Sequence, residues 1–290
     1  MCIAIVAFIA AIVPNAVGLV TFGHDMSQPI LIPAANPSDW TGPTGNNTYL
    51  LDGRIPTLID AGVGKAEHID AIARTLNGVP LALVLITHGH PDHVSGVPAV
   101  VARWPDVRVR QYGTGSDPIQ HDEVIHAGDS TLRAIYTPGH ATDHLSFLRD
   151  PSPAVSTGRE IFCGDLMRLG GTIVIPAKRG GDLMQYLESL HVVRALRPAR
   201  VLPGHGPIID DPDAVIDEYL RHRAERDRQV LAALQAGCRT PDDIVARMYT
   251  NLSPHLVRAA GESVLAHLVK LRREGTVTEQ DGEWRPEPCQ

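Results

Sequence analysis

The chain has 290 residues, of which 43% are apolar and 20% are charged, and its formal net charge is −7. This is ordinary composition for a globular protein with one large domain, or with a large and a small one. The acidic net charge gives no sign of the basic character that general binding to nucleic acid requires. Arginines do cluster between residues 194 and 228, but acidic residues in that stretch offset them, which indicates a solvated helix face.

The first 13 residues are all apolar and are followed by Pro14. They are too few for a membrane-spanning helix, which needs roughly 18 residues or more, and they lack the Lys or Arg that begins a signal peptide. Their Ile and Val content favours a strand, and Met26 is an alternative start. The scattered cysteines indicate a reducing compartment. We expect a cytoplasmic protein that does not contact the membrane, with an export signal as the alternative.

The next patterned segments read as scaffold. Residues 57–62 predict a strand and a turn, in which Asp60 is a natural turn-capping residue. Ile69, Ile72 and Leu76 recur at helical spacing before Gly78, which is a typical helix stop.

The hexapeptide at residues 88–93 follows the apolar run 81–86, which has the length and composition of a buried strand, and residues 95–104 predict a helix after it. It contains His88, His90, Asp92 and His93, and these are the ligand types that divalent metals such as zinc favour. His88 and His90 can point to one side, whereas the turn directs Asp92 and His93 to a second point. One loop could thus serve two metals; the alternative is a solvated polar loop.

Three more residues of ligand type lie beside a glycine at the end of an apolar run: His140, Asp165 and His205. Glycine lets the backbone turn tightly, so that each side chain can reach inward. With the hexapeptide they make seven ligands in four segments, which predicts a two-metal site. Cys163 shares a strand face with Asp165 and could approach the site, although a small buried hydrophobic residue is the favoured interpretation.

The rest of the chain predicts helices and a small terminal unit. Asp182 and Gln185 resemble a capping box that opens a helix to Leu196, and Pro212 starts another helix that ends at Gly237. Residues 240–249 and 254–273 then predict two helices, and Asp281-Gly282 predicts a hairpin turn. Helix, helix and hairpin form a winged-helix pattern. We place the boundary between a catalytic domain, 1–208, and a linker helix with the winged-helix-like domain, 209–290.

The motifs taken together resemble the metallo-beta-lactamase superfamily: His-x-His-x-Asp-His, Thr-Pro-Gly-His, Gly-Asp and Pro-Gly-His-Gly occur in that order between Asn47 and Gly206. The resemblance implies an α/β fold, an αββα sandwich with the metals at one open edge. Asp165 makes the chain similar to the glyoxalase II-like and nuclease-like branches, which have an aspartate at this place in the motif. The commonest type of class B lactamase has a cysteine as its ligand to the second metal. The tail resembles a subgroup with a C-terminal winged helix, some of whose members cleave single-stranded RNA.

The same resemblance implies roles for individual residues. One metal would be held by His88, His90 and His140, and the other by Asp92, His93 and His205. Asp165 would bridge the two metals. Asp60 would support the metal loop through hydrogen bonds, and turn capping is its alternative role. His144, four residues after His140, is a candidate hydrogen-bond donor to a ligand, with an ordinary buried histidine as the alternative.

Two metals about 3.5 to 4 Å apart would acidify a bridging water and polarise the attacked oxygen, so hydrolysis is the implied reaction. Asp92 would orient the hydroxide and pass its proton to the leaving group. Zinc, two per chain, is the expected cofactor, and manganese or iron also fit these ligands.

Three functions stay open at this stage. The first is an acyl hydrolase that acts on a small ester, thioester, lactone or lactam. The second is an endoribonuclease on single-stranded RNA, which the winged helix favours and the 4% aromatic content disfavours. The third is a nucleic-acid-binding regulator with an inactive hydrolase domain, which would not need seven ligands. A homodimer is compatible with all three.

Overall fold

Two five-stranded sheets lie at the centre of the protein in the computed structural model, which describes residues 28–39, 41–151, 158–250 and 254–287. The predictions for residues 1–13, Met26, Cys2 and Cys289 concern positions outside these ranges. The first sheet contains, in spatial order, β1 (Ile30–Pro33), β2 (Asn47–Leu51), β3 (Thr57–Ile59), β4 (Leu83–Leu85) and β5 (Arg108–Arg110). The second contains, in spatial order, β10 (Arg200–Pro203), β9 (Glu160–Gly164), β8 (Leu145–Arg149), β7 (Ser130–Tyr136) and β6 (Val124–Ala127).

Helices cover the outer face of the first sheet. α1 (Ala66–Leu76) and α3 (Val97–Arg103) pack there, and the predicted helical spacing in α1 turns Ile72 and Leu76 into the core. β4 runs parallel to both of its neighbours and is buried on both faces, which explains the unbroken apolar sequence around it.

A second helical layer covers the other sheet. α4 (Leu183–Leu196) and the first half of α5 (Pro212–Gln235) pack against it and share a core that includes Ile161, Tyr186 and Tyr219. Between the two sheets lies a separate apolar layer, in which the rings of Tyr49 and Phe162 meet edge to face at 5.4 Å. Helix, sheet, sheet and helix therefore stack in four layers, and the predicted αββα sandwich is confirmed.

The terminal unit consists of α6 (Pro241–Met248), α7 (Pro254–Arg273) and the hairpin β11 (Val277–Gln280) and β12 (Glu283–Pro286). Asp281 and Gly282 both have positive φ, 53° and 81°, as the predicted two-residue turn requires. Thr240 caps α6 in a reciprocal arrangement with Asp243. The helix, helix and hairpin pattern predicted for the tail is thus confirmed.

α5 joins the two units without a break. Its first half contributes Val215 and Ile216 to the sandwich, whereas Val230 and Leu234 near its end belong to the core of the terminal unit. The domain boundary placed at residue 208 stays a prediction, since one continuous helix serves both cores.

Two expectations need correction in detail. The helix expected over residues 95–104 begins at Val97, and the loop before it already contains one helical turn, α2 (Pro91–Val94). Asp182 caps α4 by accepting hydrogen bonds from the backbone N–H groups of Met184 and Gln185. Within the described residues, the Gln185 side chain makes no hydrogen bond to the backbone of Asp182, so the predicted capping box is incomplete. Within the described ranges, no helix has both the length and the apolar content needed to cross a bilayer.

Asp182 also connects the two units, because its second oxygen pairs with Arg273 at the end of α7. We expect Asp182→Ala to lower the free energy of unfolding by roughly 1–2 kcal/mol, mostly from loss of the cap. Asp182→Asn keeps an oxygen for the cap and should lose less than half of that. Denaturant unfolding of the two variants measures the difference, and equal losses would mean that the cap contributes nothing.

Candidate metal centre

The seven predicted ligands converge at one edge of the sandwich. They lie in the loops that follow β4, β7, β9 and β10, so every segment leaves the carboxyl end of a strand. Two groups form there, with the potential ligand atoms of each group within 4.8 Å of one another. The first group is His88, His90, His140 and Asp165, and the second is Asp92, His93 and His205. The structure therefore brings together all seven residues that the sequence singled out.

Asp165 lies between the groups and offers one oxygen to each. Its Oδ2 is 3.4 Å from Nε2 of His140 and 4.0 Å from Nε2 of His88. Its Oδ1 is 3.1 Å from Nε2 of His205 and 3.3 Å from Nε2 of His93. Asp92 joins the second group only, with Oδ2 3.4 Å from Nε2 of His205.

Hydrogen bonds on the far side of the rings set the tautomers. Nδ1 of His140 donates to the carbonyl oxygen of Val174 at 2.8 Å, and Nδ1 of His93 donates to Asp60 at 2.7 Å. Thr87 gives its hydroxyl proton to Asp60, so it accepts from Nδ1 of His88. In each of these rings Nδ1 is therefore occupied and Nε2 is the nitrogen that faces the cluster, as in a metal ligand bound through Nε2.

Asp60 forms hydrogen bonds with the loop that contains the first four ligands. Besides His93, it accepts hydrogen bonds from the backbone N–H of Thr87 at 2.8 Å and from the Thr87 hydroxyl at 2.9 Å. Its own backbone has a φ of 61°, in the left-handed region that most residues avoid. A role for Asp60 in supporting the metal loop would use these contacts, and that role stays a prediction.

His144 contacts the cluster differently from the expectation. Its Nε2 accepts a hydrogen bond from the backbone N–H of Asp165 at 3.1 Å, while Nδ1 contacts the Thr137 hydroxyl at 2.9 Å. It therefore positions the backbone of Asp165 and does not donate to a ligand side chain. Because the ring is fully buried, its pKa falls to about 3, and it stays neutral.

Burial and charge divide the histidines into two kinds. Burial holds the pKa of His88 well below its usual value and lowers that of His90 to about 4. Burial acts in the same direction on His205, but the Asp165 carboxylate outweighs it and raises the pKa of His205 to about 9. The buried Asp165 carboxylate thus favours the protonated, positively charged form of His205 in the second group.

The donor set fits bound cations. Nε2 of His88 and Oδ1 of Asp165 are buried in the cluster without a hydrogen-bond partner, and buried polar atoms normally have one. Imidazole nitrogens and carboxylate oxygens are also the donors that zinc and related divalent ions prefer.

Two glycines allow the close approach of these segments for different reasons. Gly139 has a φ of +124°, and an added Cβ would lie 2.3 Å from the backbone nitrogen of Tyr186. Gly204 is not in the left-handed region, but its Cβ would lie 2.8 Å from the His93 ring and 3.0 Å from Oδ1 of Asp165. The expected tight turn explains Gly139, whereas Gly204 is needed for space.

Two contacts of the cluster were not predicted from the sequence. Asn46 donates from Nδ2 to Oδ2 of Asp92 at 3.0 Å, and Asp143 accepts from the backbone N–H of Gly89 at 2.9 Å. Neither residue occupies a recognisable motif position, because each acts through a contact with a distant part of the chain. Asn46 precedes β2, where the family resemblance begins, and this was the only signal.

Cys163 lies away from the cluster. It is fully buried in the apolar core under α4, and its Sγ contacts the carbonyl oxygen of Met167 at 3.6 Å. Burial raises the pKa of the thiol to about 12, so it is protonated at neutral pH. The interpretation as a small buried hydrophobic residue is supported.

The cluster opens into a cavity of about 670 Å³ whose walls come from both units. His90, Asp92, His140, Asp165 and His205 line it on the cluster side. The segment 168–179 and the first turns of α7 line the remainder. A volume of this size suits a small-molecule ligand, and the terminal unit supplies part of its wall.

Helix α5 fixes the backbone of this wall segment. The Tyr219 hydroxyl contacts both the backbone N–H and the carbonyl oxygen of Arg168, at 3.0 and 3.1 Å. The guanidinium of Arg223, which is 3% exposed, donates to the carbonyl oxygen of Ile173 and lies over the ring of Tyr186. The next carbonyl, that of Val174, is the one that orients His140.

Comparisons with known proteins identify the family to which both units of the chain are similar. A sequence profile of the metallo-beta-lactamase superfamily matches residues 41–118, and one of the beta-lactamase-associated winged helix domain matches residues 240–284. The lactamase-like protein adaB of Aspergillus niger is 34% identical over 254 residues, covering 80% of this chain and 77% of its own length. The beta-lactamase-like protein 2 homolog of Drosophila melanogaster is 32% identical, covering 86% and 89%. A metallo-beta-lactamase family protein from Thermus thermophilus has the same fold, with a TM-score of 0.75 at 20% identity over 89% of this chain and 98% of its own.

We expect Arg223→Met to loosen the segment that orients His140. The change keeps the apolar stem but leaves the carbonyl of Ile173 unpaired, at a cost of about 1–3 kcal/mol. Hydrogen–deuterium exchange of the peptide spanning residues 168–176 should become roughly tenfold faster. Arg221→Met, an exposed position on the same helix, is the control. Equal protection in both variants would show that Arg223 does not hold this segment.

Proposed function

Because the chain belongs to the metallo-beta-lactamase superfamily, whose members are usually hydrolases, we propose that it is a hydrolase that uses two bound cations. The observation that carries the proposal is the position of Asp165, which directs one carboxylate oxygen to each group of histidines. A carboxylate in that position suits a bridge between two ions.

The proposed ligands follow the two groups. His88, His90 and His140 hold one ion, Asp92, His93 and His205 hold the other, and Asp165 contacts both. Zinc is the proposed metal, since it favours nitrogen and carboxylate donors, and manganese or iron remain alternatives. Asp60 and His144 keep His93 and Asp165 in place through the hydrogen bonds described above.

The bound cations would acidify a water molecule and polarise the oxygen of the bond to be broken. The protein supplies orientation and proton transfer. Asp92 has a side chain that is 32% exposed, against 11% for Asp165, so it is the cluster carboxylate that a substrate can reach. We assign Asp92 the catalytic role: it orients the attacking water, takes its proton and passes it to the leaving group. Asn46 holds one of its oxygens for this task.

The cavity favours a small acyl substrate, an ester, thioester, lactone or lactam, over RNA. α7 would have to enter a groove if the winged helix read nucleic acid in the common way. Instead it is packed on two sides, through Ala266 against the sandwich and through Val264 and Leu268 against the terminal core. Among the described residues, Tyr249 is the one aromatic side chain that lines the cavity, and single-stranded RNA usually needs several for stacking.

An inactive regulator is the less favoured alternative, because it would gain nothing from seven converging ligands. We also predict a cytoplasmic location and regard a homodimer as compatible with the fold. The two cysteines within the described ranges, Cys163 and Cys238, are free thiols, which supports a reducing compartment.

We expect Asp165→Ala to reduce the metal content from two equivalents to one or none and to lower kcat by at least about a thousandfold. The reason is that this carboxylate alone would contact both ions. Elemental analysis of the purified protein measures the content. Cys163→Ala, two residues earlier and within β9, is the matched control and should keep both ions. A second ion retained by Asp165→Ala would contradict the bridging role, and a wild type with one ion would refute the dinuclear centre.

A chelator experiment tests the reaction itself. The protein should hydrolyse a thioester or a chromogenic lactam, lose that activity with a chelator and regain it with zinc. A fluorescent single-stranded RNA, assayed in parallel, should remain intact. Activity that persists after complete metal removal would overturn the proposal, and chelator-sensitive cleavage of RNA alone would favour the endoribonuclease alternative.

A further inference from the structure

Outside the metal cluster, the cavity lining has one more positive than negative side chain, although the whole protein is acidic. The chain has a formal net charge of −7, yet the ionic residues that line the cavity outside the cluster are Arg168, Arg179 and Arg258, against Asp39 and Glu262. A positive lining around a site in an acidic protein concentrates anionic ligands there.

Two of these arginines come from opposite units and lie near one junction between them. Arg179 ends a single 3₁₀ turn, Ala177–Arg179, and Arg258 lies in the first turns of α7. The backbone N–H of Lys178 donates to the carboxylate of Glu262 at 2.9 Å, which fixes the turn to the helix. Arg179 is the next residue after Lys178. Arg258 is four residues before Glu262 and therefore on the same side of α7.

Neither guanidinium is committed to another group. Within the ranges that the structure describes, Arg179 and Arg258 are exposed and have no ion pair or hydrogen bond to another side chain. Glu262, four residues after Arg258, is 8% exposed and accepts the Lys178 N–H instead, and Asp182, three residues after Arg179, is paired with Arg273.

The cavity lining also includes apolar side chains. Ile173, Val174, Leu256 and Ala260 contribute to it. A ligand that fills the cavity therefore meets three environments: the histidine and aspartate cluster, apolar side chains and two arginines. Each environment selects one part of a substrate.

We propose that Arg179 and Arg258 together form an anion subsite that selects the substrate. The substrate has a hydrolysable acyl bond at one end, an apolar chain or ring in the middle and a carboxylate or phosphate at the other end. Guanidinium groups bind both kinds of anion through paired hydrogen bonds. This inference rests on the proposed hydrolase function and adds the chemistry of the remote end of the substrate.

The kinetic test uses matched 4-nitrophenyl esters and the zinc-loaded protein. The acyl chains are hexanoyl, which is neutral, the half ester of suberic acid, which ends in a carboxylate, and a hexanoyl chain that ends in a phosphate. We expect the kcat/KM of at least one anionic ester to exceed that of the neutral ester by roughly tenfold or more. In Arg179→Gln/Arg258→Gln this ratio should fall to about one, while Arg221→Gln keeps the wild-type ratio. Exposed charge contacts of this kind change affinity by about three- to fivefold each.

A binding test separates this proposal from the hydrolase proposal. Suberate and hexyl phosphate contain no ester bond, so calorimetric titration of the zinc-loaded protein measures their binding without turnover. We expect binding of one or both anions to weaken about tenfold in the double variant and to be unchanged in Arg221→Gln. The anion with the stronger response identifies carboxylate or phosphate as the recognised group.

The outcomes are distinct. If no ester is hydrolysed in a chelator-sensitive manner but the double variant loses anion binding, the hydrolase function fails and the subsite remains. If the neutral ester is hydrolysed as well as the anionic ones, or if the double variant binds both anions as tightly as the wild type, the subsite proposal is overturned. Thermal unfolding of the double variant should match that of the wild type, because among the described residues neither guanidinium has an ion pair or a hydrogen bond to another side chain.

Discussion

Asp165 presents a carboxylate to two groups of imidazoles from a position that is only 8% exposed. A charge so far from water needs partners of opposite sign, because burial of an unpaired carboxylate is costly. In the structure as described, His205 and His93 supply that charge, and both hold the pKa of Asp165 well below its usual value despite its burial. In the proposed loaded protein two cations would take over this part. The surrounding fold can then be understood as the means of keeping this one carboxylate in place.

The position of Asp165 depends on how the two sheets are placed relative to each other. The ligand loop follows β4 of the first sheet, and the other ligands follow strands of the second, so any sliding between the sheets would separate the two halves of the cluster. Polar contacts fix their relative position at this edge. Asn47, on the first sheet, donates from Nδ2 to the carbonyl oxygens of Pro203 and Gly206 on either side of His205. The Tyr49 hydroxyl donates to Pro203 as well.

Local patterns made the fold and the ligands predictable, because each lies in a few consecutive residues: an apolar strand, a glycine and a metal-type side chain. The hairpin turn at Asp281 and Gly282 is predictable for the same reason. The roles of Arg223, Asn46 and Asp143 could not be predicted from the sequence. Each of these side chains contacts a group at least 40 residues away, and no pattern in the neighbouring residues identifies that partner. The hydrogen-bond direction at His144 was also hidden, because it depends on where the backbone of Asp165 lies in the folded chain.

Helix α5 has 24 residues and enters the two apolar cores at its opposite ends. An α-helix advances 1.5 Å and turns about 100° with each residue. Insertion or removal of a single residue near its middle would swing the terminal unit around the helix axis and move Arg258 out of the substrate space. A change of about seven residues, two whole turns, would restore the angle but displace the unit by about 10 Å. The length of α5 therefore sets both the distance and the angle between the sandwich and the terminal unit in this member of the superfamily. It limits how either unit can be recombined with units of other proteins.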